Sequence, residues 1–281
     1  MRTLGTPAET AAFRSPAPSP VVLVPTMGAL HAGHAALIDA ARARTGTGGT
    51  VVVSIFVNPR QFGPTEDPTN YPRTMESDLA MCAAHGVDAV FAPSADAMYP
   101  PGDSTLVDEI GLSRGLCGAQ RPGHFRGVCT VVAKLFHIIR PDAAIFGEKD
   151  YQQLAIIRRM ARDLFFGLEI VDHPTVREAD GLAMSSRNRC LTADERKRAA
   201  AFPAALSSAA QESDPAQIVS KATALITAGT GSEPQYVELV DAETLAPLAV
   251  LDRRAVLAAA VKIGETRLID NVRLAPRHAK V

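Results

Sequence analysis

The chain has no tryptophan, and aromatic residues make up only 5% of its 281 positions, so aliphatic side chains have to fill its interior. Its charge has almost no net sign: 29 Lys and Arg stand against 30 Asp and Glu. That balance gives no global field for nucleic acid or an anionic membrane. Cysteine is scarce, and Cys82, Cys117, Cys129 and Cys190 contain no CxxC pair, which excludes a disulfide framework and a zinc ribbon. No run of about 18 apolar residues is free of proline and glycine breaks, and residues 1–20 carry Glu9 and four prolines in place of an apolar leader. These absences predict a soluble, cytoplasmic protein with neither nucleic acid nor membrane as partner.

Hydrophobic residues make up 47% of the chain, and at this mass about three quarters of the unfolded surface can be buried. Residues 21–24 form a short all-apolar run that Pro25 is expected to end, and they are the first ordered element predicted. A glycine-bearing turn and a helical stretch over 35–44 follow. The unit recurs: 50–57 is a β-branched run, 75–84 reads as a helix and 88–92 as a strand. Val128, Val131, Val132, Leu135, Phe136 and Ile139 share one helical face ending before Pro141. A strand over 143–146, a helix over 151–165 and a strand over 168–172 close the series. Strands alternating with helices imply right-handed crossovers and a parallel sheet. Beyond Arg177 the pattern changes to helices (192–210 and 215–228) followed by β-like runs (236–241 and 255–263). The expectation is an α/β, Rossmann-like parallel-sheet domain over 1–176 and a smaller α+β domain over 177–281. Residues 1–19, rich in proline, are expected to form an arm that need not be ordered.

Residues 25–34, PTMGALHAGH, fall between the first strand and the first helix, where open parallel sheets bind ligands. Gly28 and Gly33 let backbone amides approach a phosphate, the helix N-terminus adds positive potential, and His31 and His34 can converge on one anion. This suits charge stabilisation during attack on phosphorus. The lesser alternatives for the HxxH spacing are a zinc pair, which no Cys or acidic cluster completes, and a structural turn with incidental histidines.

The decapeptide resembles the HxGH signature of the nucleotidylyl-transferase superfamily, which identifies a chemistry and no substrate. Further segments stand in order behind it: FVNPRQF (56–62), YPRT (71–74), RPGHFRGV (121–128), FGEKDYQQL (146–154) and DGLAMSSRN (180–188). Together, from about residue 20 onward, they resemble the pantoate:β-alanine ligase family. The resemblance implies that a pantoate carboxylate attacks the α-phosphorus of ATP with release of pyrophosphate. The β-alanine amine then displaces AMP from pantoyl adenylate. The alternative is a nucleotidylyltransferase acting on a phosphorylated acceptor, whose product keeps the AMP; the paired glutamines and the second domain favour the ligase. An oxidoreductase using a nicotinamide cofactor is disfavoured, because no GxGxxG follows the first strand.

On matching positions the resemblance implies that His31, His34 and Lys149 are catalytic. It assigns ATP to Pro25, Thr26, Met27, Gly28, His31, His34, Gly147, Lys149, Asp150, Val176, Met184, Ser185, Ser186 and Arg187. Pantoate falls to Met27, Asn58, Gln61, Phe62, Arg121 and Gln153, with Met27 and Phe62 as apolar walls. Mg²⁺ is expected on phosphate oxygens and water, with Asp78 acting at most indirectly. A homodimer is expected, with residues 105–108 near its interface. Neutral amides suit a carboxylate that must stay nucleophilic, because a cation would hold it too well in the ground state. The fork of Arg187 can grip a leaving pyrophosphate, a reading favoured over an N-cap with a surface charge because DGLAM precedes SSRN. His124 reads equally as a structural histidine or a contact. Asp78 reads as acting through metal waters, as orienting the histidines or as a helix-surface carboxylate. Two positions depart from the family pattern: Arg60 stands where methionine is frequent, and Cys117 where many members carry glutamate.

Overall fold

The computed structural model describes residues 1–63, 69 and 71–276. In chain order it forms β1 (Arg2–Leu4), α1 (Pro7–Arg14), β2 (Val21–Thr26), α2 (Ala32–Thr45), β3 (Thr50–Ile55), α3 (Met75–Ala84), β4 (Ala89–Phe91), α4 (Ala95–Met98), α5 (Leu116–Gln120) and α6 (His124–Ile139). Then come β5 (Ala143–Gly147), α7 (Tyr151–Asp163), β6 (Glu169–His173), α8 (Ala193–Ala199), α9 (Ala201–Ala209), α10 (Pro215–Thr230), β7 (Pro234–Asp241), β8 (Ala255–Ile263) and β9 (Thr266–Leu274). Among the described residues, no helix is long and apolar enough to cross a membrane.

The chain makes two compact units, Met1–Ser113 with Arg121–Glu148 and Ile156–Pro174, and Arg114–Gln120 with Lys149–Ala155 and Thr175–Val281. In the first, six parallel strands lie in the order β1-β4-β3-β2-β5-β6. Val21–Val24 and Val51–Val53 are buried on both faces, as expected of a parallel sheet covered on two sides. On one face Ile38 and Ala41 of α2 and Cys82 of α3 pack against β2, β3, β4 and β5. The strand order reverses at β2, and the crevice at such a switch point is where open sheets take ligands. In the second unit, antiparallel strands β7-β8-β9 carry a core with α9 and α10 that includes Phe202, Leu206, Ile218 and Leu257.

Several expectations need correction. The N-terminal arm is structured: β1 pairs with β4 from Arg2↔Ala89 to Leu4↔Phe91. Helix α1 starts in a capping box between Thr6 and Glu9 with Pro7 in its first turn, a start signal that the later prolines outweighed. Pro25 does not end β2, which runs on to Thr26. The β5 side of β2 pairs at Val22 and Leu23, while Pro25 aligns with Ser54 of β3, so a residue without an N–H is tolerated there. The expected helix over 192–210 is two helices, since Pro203 cannot donate to the Ala199 carbonyl. Strand β9 went unforeseen because Arg267, Asp270, Asn271 and Arg273 disguise its apolar alternation; Asp270 is nonetheless buried, held by Arg177 at 2.7 and 3.0 Å.

Candidate active site

The turn after β2 is built by its backbone. Gly28 (φ +85°) and Ala29 (φ +50°) are both left-handed, which aims the next amides at one point, an anion-binding nest. A carboxylate of the protein fills it: Ala29 N donates to Asp78 Oδ2 at 2.9 Å, and Leu30 N to Asp78 Oδ1 at 2.9 Å. Thr74 Oγ1 also donates to Oδ1 at 3.0 Å. Asp78, on α3, is 2% exposed, so of its three readings the surface carboxylate is overturned. Burial, and next the Asp78 charge, push the neighbouring Cys82 thiol up to about 11. Gly28 fits tightly, since a Cβ there would lie 3.1 Å from both Asp78 Oδ2 and Ile55 Cγ2. Thr26 Oγ1 donates to the Ser54 carbonyl at 2.7 Å and accepts from Gly28 N at 3.2 Å.

This anchored turn delivers the histidines to the N-terminus of α2. His31 is the N-cap, its Nδ1 accepting from Gly33 N at 3.1 Å, and His34 Nδ1 accepts from His31 N at 3.3 Å. The ring centroids are 4.1 Å apart. With Nδ1 accepting, each neutral ring carries its hydrogen on Nε2 and is a donor there. The backbone thus chooses the tautomer that carries its donor on Nε2.

The first unit also holds five of the six residues expected for pantoate, Met27, Asn58, Gln61, Phe62 and Arg121, whereas Gln153 belongs to the second. Gln61, in the one-turn 3₁₀ helix Pro59–Gln61, donates from Nε2 to Met27 Sδ at 2.8 Å. Asn58 caps that turn through Arg60 N and donates to Gln61 Oε1 at 3.1 Å and to the Gly127 carbonyl at 3.0 Å. His124 Nδ1 lies 2.8 Å from the Gln61 carbonyl oxygen, and Arg121 reaches the same oxygen at 3.5 Å and His124 Nε2 at 3.0 Å. His124 therefore has a structural partner, and Arg121 bears on Gln61 through its main chain. Gly127 lets α6 meet this segment: a Cβ would sit 2.2 Å from the Arg60 carbonyl oxygen. Phe62 is half-buried, and Gly147 ends β5 beside open space.

In the second unit Lys149 and Asp150 pair at 3.6 Å in a 3₁₀ turn, and the Lys149 side chain is 17% exposed. Lys149, Ser185, Arg187, Asn188 and Arg267 line one small pocket of this unit. Ser185 caps the turn Ser186–Cys190 by accepting from Arg187 N at 3.3 Å, leaving Arg187 exposed. The segment before it is a narrow hairpin, with Met184 N donating to the Val176 carbonyl at 2.9 Å. Of the adjacent glutamines, Gln152 is buried and spans Cys117 N and the Gly115 carbonyl, while Gln153 is half-buried at the start of α7. No group of three or more His, Cys, Asp or Glu side chains is placed to hold a metal among the described residues.

Sequence reasoning passed over Tyr71, whose hydroxyl donates to the Gly28 carbonyl at 3.4 Å, and Thr74, which supports Asp78. Both lie in the YPRT segment, whose place between two site segments was the available signal. Tyr99, Asp103 and Lys134 gave no signal.

Comparison with known proteins agrees over nearly the whole chain. The sequence profile of a family described as pantoate-beta-alanine ligase matches residues 3–273. A pantothenate synthetase of Sphingopyxis alaskensis is 54% identical over 90% of this chain and 91% of its own length. One from Anaeromyxobacter dehalogenans is 56% identical over the same shares. A crystal structure of pantothenate synthetase from Thermus thermophilus superposes with a TM-score of 0.93 at 45% identity, covering 98% of this chain and 100% of that one. The pantoate-beta-alanine ligase of Francisella tularensis, complexed with beta-gamma ATP and beta-alanine, superposes with a TM-score of 0.82 at 34% identity, covering 97% of each chain.

Proposed function

The chain belongs to the pantoate-beta-alanine ligase family, and from that premise we propose how its residues carry out the ATP-dependent joining of pantoate to β-alanine. The carboxylate of pantoate attacks the α-phosphorus of ATP; the α–β phosphoanhydride bond breaks and pyrophosphate leaves with the electron pair. The β-alanine amine then attacks the acyl carbon of pantoyl adenylate, forming the amide and releasing AMP and a proton.

The observation that carries this reading is the HAGH turn, where both imidazoles accept on Nδ1 and so donate from Nε2 at a helix N-terminus. Such donors stabilise the charge that develops on phosphate oxygens, and they are set in place before reaction. Lys149 neutralises the triphosphate, and Ser185, Ser186 and Arg187 hold the leaving pyrophosphate. Pro25, Thr26, Met27, Gly28, Gly147, Asp150, Val176 and Met184 bound the nucleotide. Gln61 and Gln153 hold pantoate by neutral amides against Met27 and Phe62, with Asn58 and Arg121 supporting Gln61. Exchange of labelled pyrophosphate into ATP, with β-alanine omitted, tests the reading. It is expected only when pantoate is present; exchange that needs a phosphorylated acceptor instead would overturn it.

Mg²⁺ enters with ATP, carried on phosphate oxygens and water, where it neutralises charge. The donor set supports no direct protein ligation by Asp78, because both its oxygens already accept hydrogen bonds. The protein acts as a homodimer in the cytoplasm. The extended segment around 105–108 supports pairing, with Leu106 48% and Ile110 67% exposed, and sedimentation of a Leu106→Glu variant as a monomer would bear it out. The four unbridged cysteines suit a reducing compartment. Residues 177–281 are the lid, and scattering that shows no compaction with ATP and pantoate would remove that part of the proposal.

A further inference from the structure

We propose that Tyr99 is a positioning residue of the pantoate subsite: its hydroxyl, with the Arg60 N–H and the Gly127 carbonyl, holds the Asn58 amide that sets which end of the Gln61 amide faces the substrate. This rests on the reading of Gln61 as a pantoate ligand.

Asn58 is 1% exposed, and all of its hydrogen-bonding capacity is used. Its Oδ1 accepts from Tyr99 Oη at 2.7 Å and from Arg60 N at 3.2 Å, while its Nδ2 donates to Gln61 Oε1 and to the Gly127 carbonyl. Turning the Asn58 amide over would set oxygen against both carbonyl oxygens and an N–H against the Arg60 N–H. Because Asn58 cannot turn, Gln61 has to give it Oε1, and Gln61 Nε2 faces Met27. Pantoate brings a carboxylate and hydroxyls; the carboxylate accepts hydrogen bonds and cannot donate them. A Gln61 turned the other way would oppose it with oxygen.

The surroundings of Tyr99 explain why it can serve as the reference. The residue follows α4, and its ring lies against two cations, with the Arg60 guanidinium carbon 4.0 Å and Lys134 Nζ 4.6 Å from its centroid. Both cations pair with the nearly buried Asp103, and Lys134 also donates to the Met98 carbonyl at 2.7 Å. Burial pushes the phenol up to about 12, with Arg60 opposing and Asp103 assisting, so it stays protonated and able to donate at neutral pH.

Tyr99→Phe keeps the ring between its cations and removes only the hydroxyl. The test is the KM for pantoate in pyrophosphate exchange, together with pantoate affinity by calorimetry, which needs no turnover. The variant is expected to weaken pantoate about fivefold to tenfold, the size of one lost hydrogen bond to a buried amide, while the KM values for ATP and β-alanine stay unchanged and the Tm falls by only a few degrees. In a Gln61→Ala background the same substitution is expected to add nothing. Asn58→Asp, which must accept from Gln61 as well as from Tyr99, turns the Gln61 amide around and should weaken pantoate more than Tyr99→Phe. An equal loss from Tyr99→Phe with and without Gln61, or an equal rise in the KM for ATP, would overturn the proposal. Unchanged pantoate affinity in Gln61→Ala alone would instead overturn the pantoate reading of that residue, and this proposal with it.

Discussion

The two compact units hold their candidate site residues in opposite ways. In the first, the groups around the HAGH turn and Gln61 are already satisfied by the protein: Asp78 fills the amide nest, backbone amides set both imidazoles, and Asn58 has no capacity left. In the second, Ser185 caps its turn while Arg187 stands exposed, and Lys149 has Asp150 at the long distance of 3.6 Å. Buried polar networks fix geometry because every broken bond strands a partner, whereas exposed cations pair weakly and can reorganise around an anion. The first unit therefore holds its polar groups in fixed orientations, and the second keeps Arg187 free to reorganise.

The sharpest way to break the comparison is Asp78→Ala, which leaves two buried amides in a left-handed turn without an acceptor. A loss of about 3 kcal/mol in stability and at least about a hundredfold in pyrophosphate exchange is expected, read by denaturant unfolding and isotope exchange. Gly127→Ala comes next: its Cβ would press on the Arg60 carbonyl and the Gln61 Cα. It should cost about 2 kcal/mol and lower pantoate affinity more than ATP affinity. Arg187→Ala sharpens the contrast from the other side. The KM for ATP should rise about tenfold while the Tm stays where it was, as expected for a charge-assisted contact made only to the ligand.

The smallest effect concerns Asp103. The hydrogen bond from Lys134, aided by the Lys134 and Arg60 charges, holds its carboxyl below the usual carboxylate range. A depressed folded pKa means stabilisation that is complete above about pH 4 and fades as the pH falls through the folded value. The gap in Tm between the parent protein and Asp103→Asn should accordingly narrow from pH 5 to pH 3. A gap that does not change with pH would remove the carboxylate from this account.

Much of the architecture was legible because burial leaves period and composition in the chain. The β-branched run of β3 and the one-faced pattern of α6 could be read directly, and so could α3, bounded by Thr74 and His85. The unread parts obey signals that tertiary context overrides. Three residues make β1, too few for any period, and they become a strand only because the edge of β4 accepts them. The polar residues of β9 hide a strand whose Asp270 is paid for by Arg177 from outside the sheet. At the site the motif segments could be read, but the link from Tyr99 to Asn58, 41 positions apart, could not.

By itself the sequence determined where the chemistry-bearing side chains stand along the chain, the alternation that makes a parallel sheet, and the family. Those follow from local residue type and spacing, which act over a few positions. Only the tertiary structure decided the role of Asp78, the tautomers of His31 and His34, and the direction of the Gln61 amide. Each depends on which donor or acceptor a buried group meets, and burial brings together partners that the chain keeps far apart.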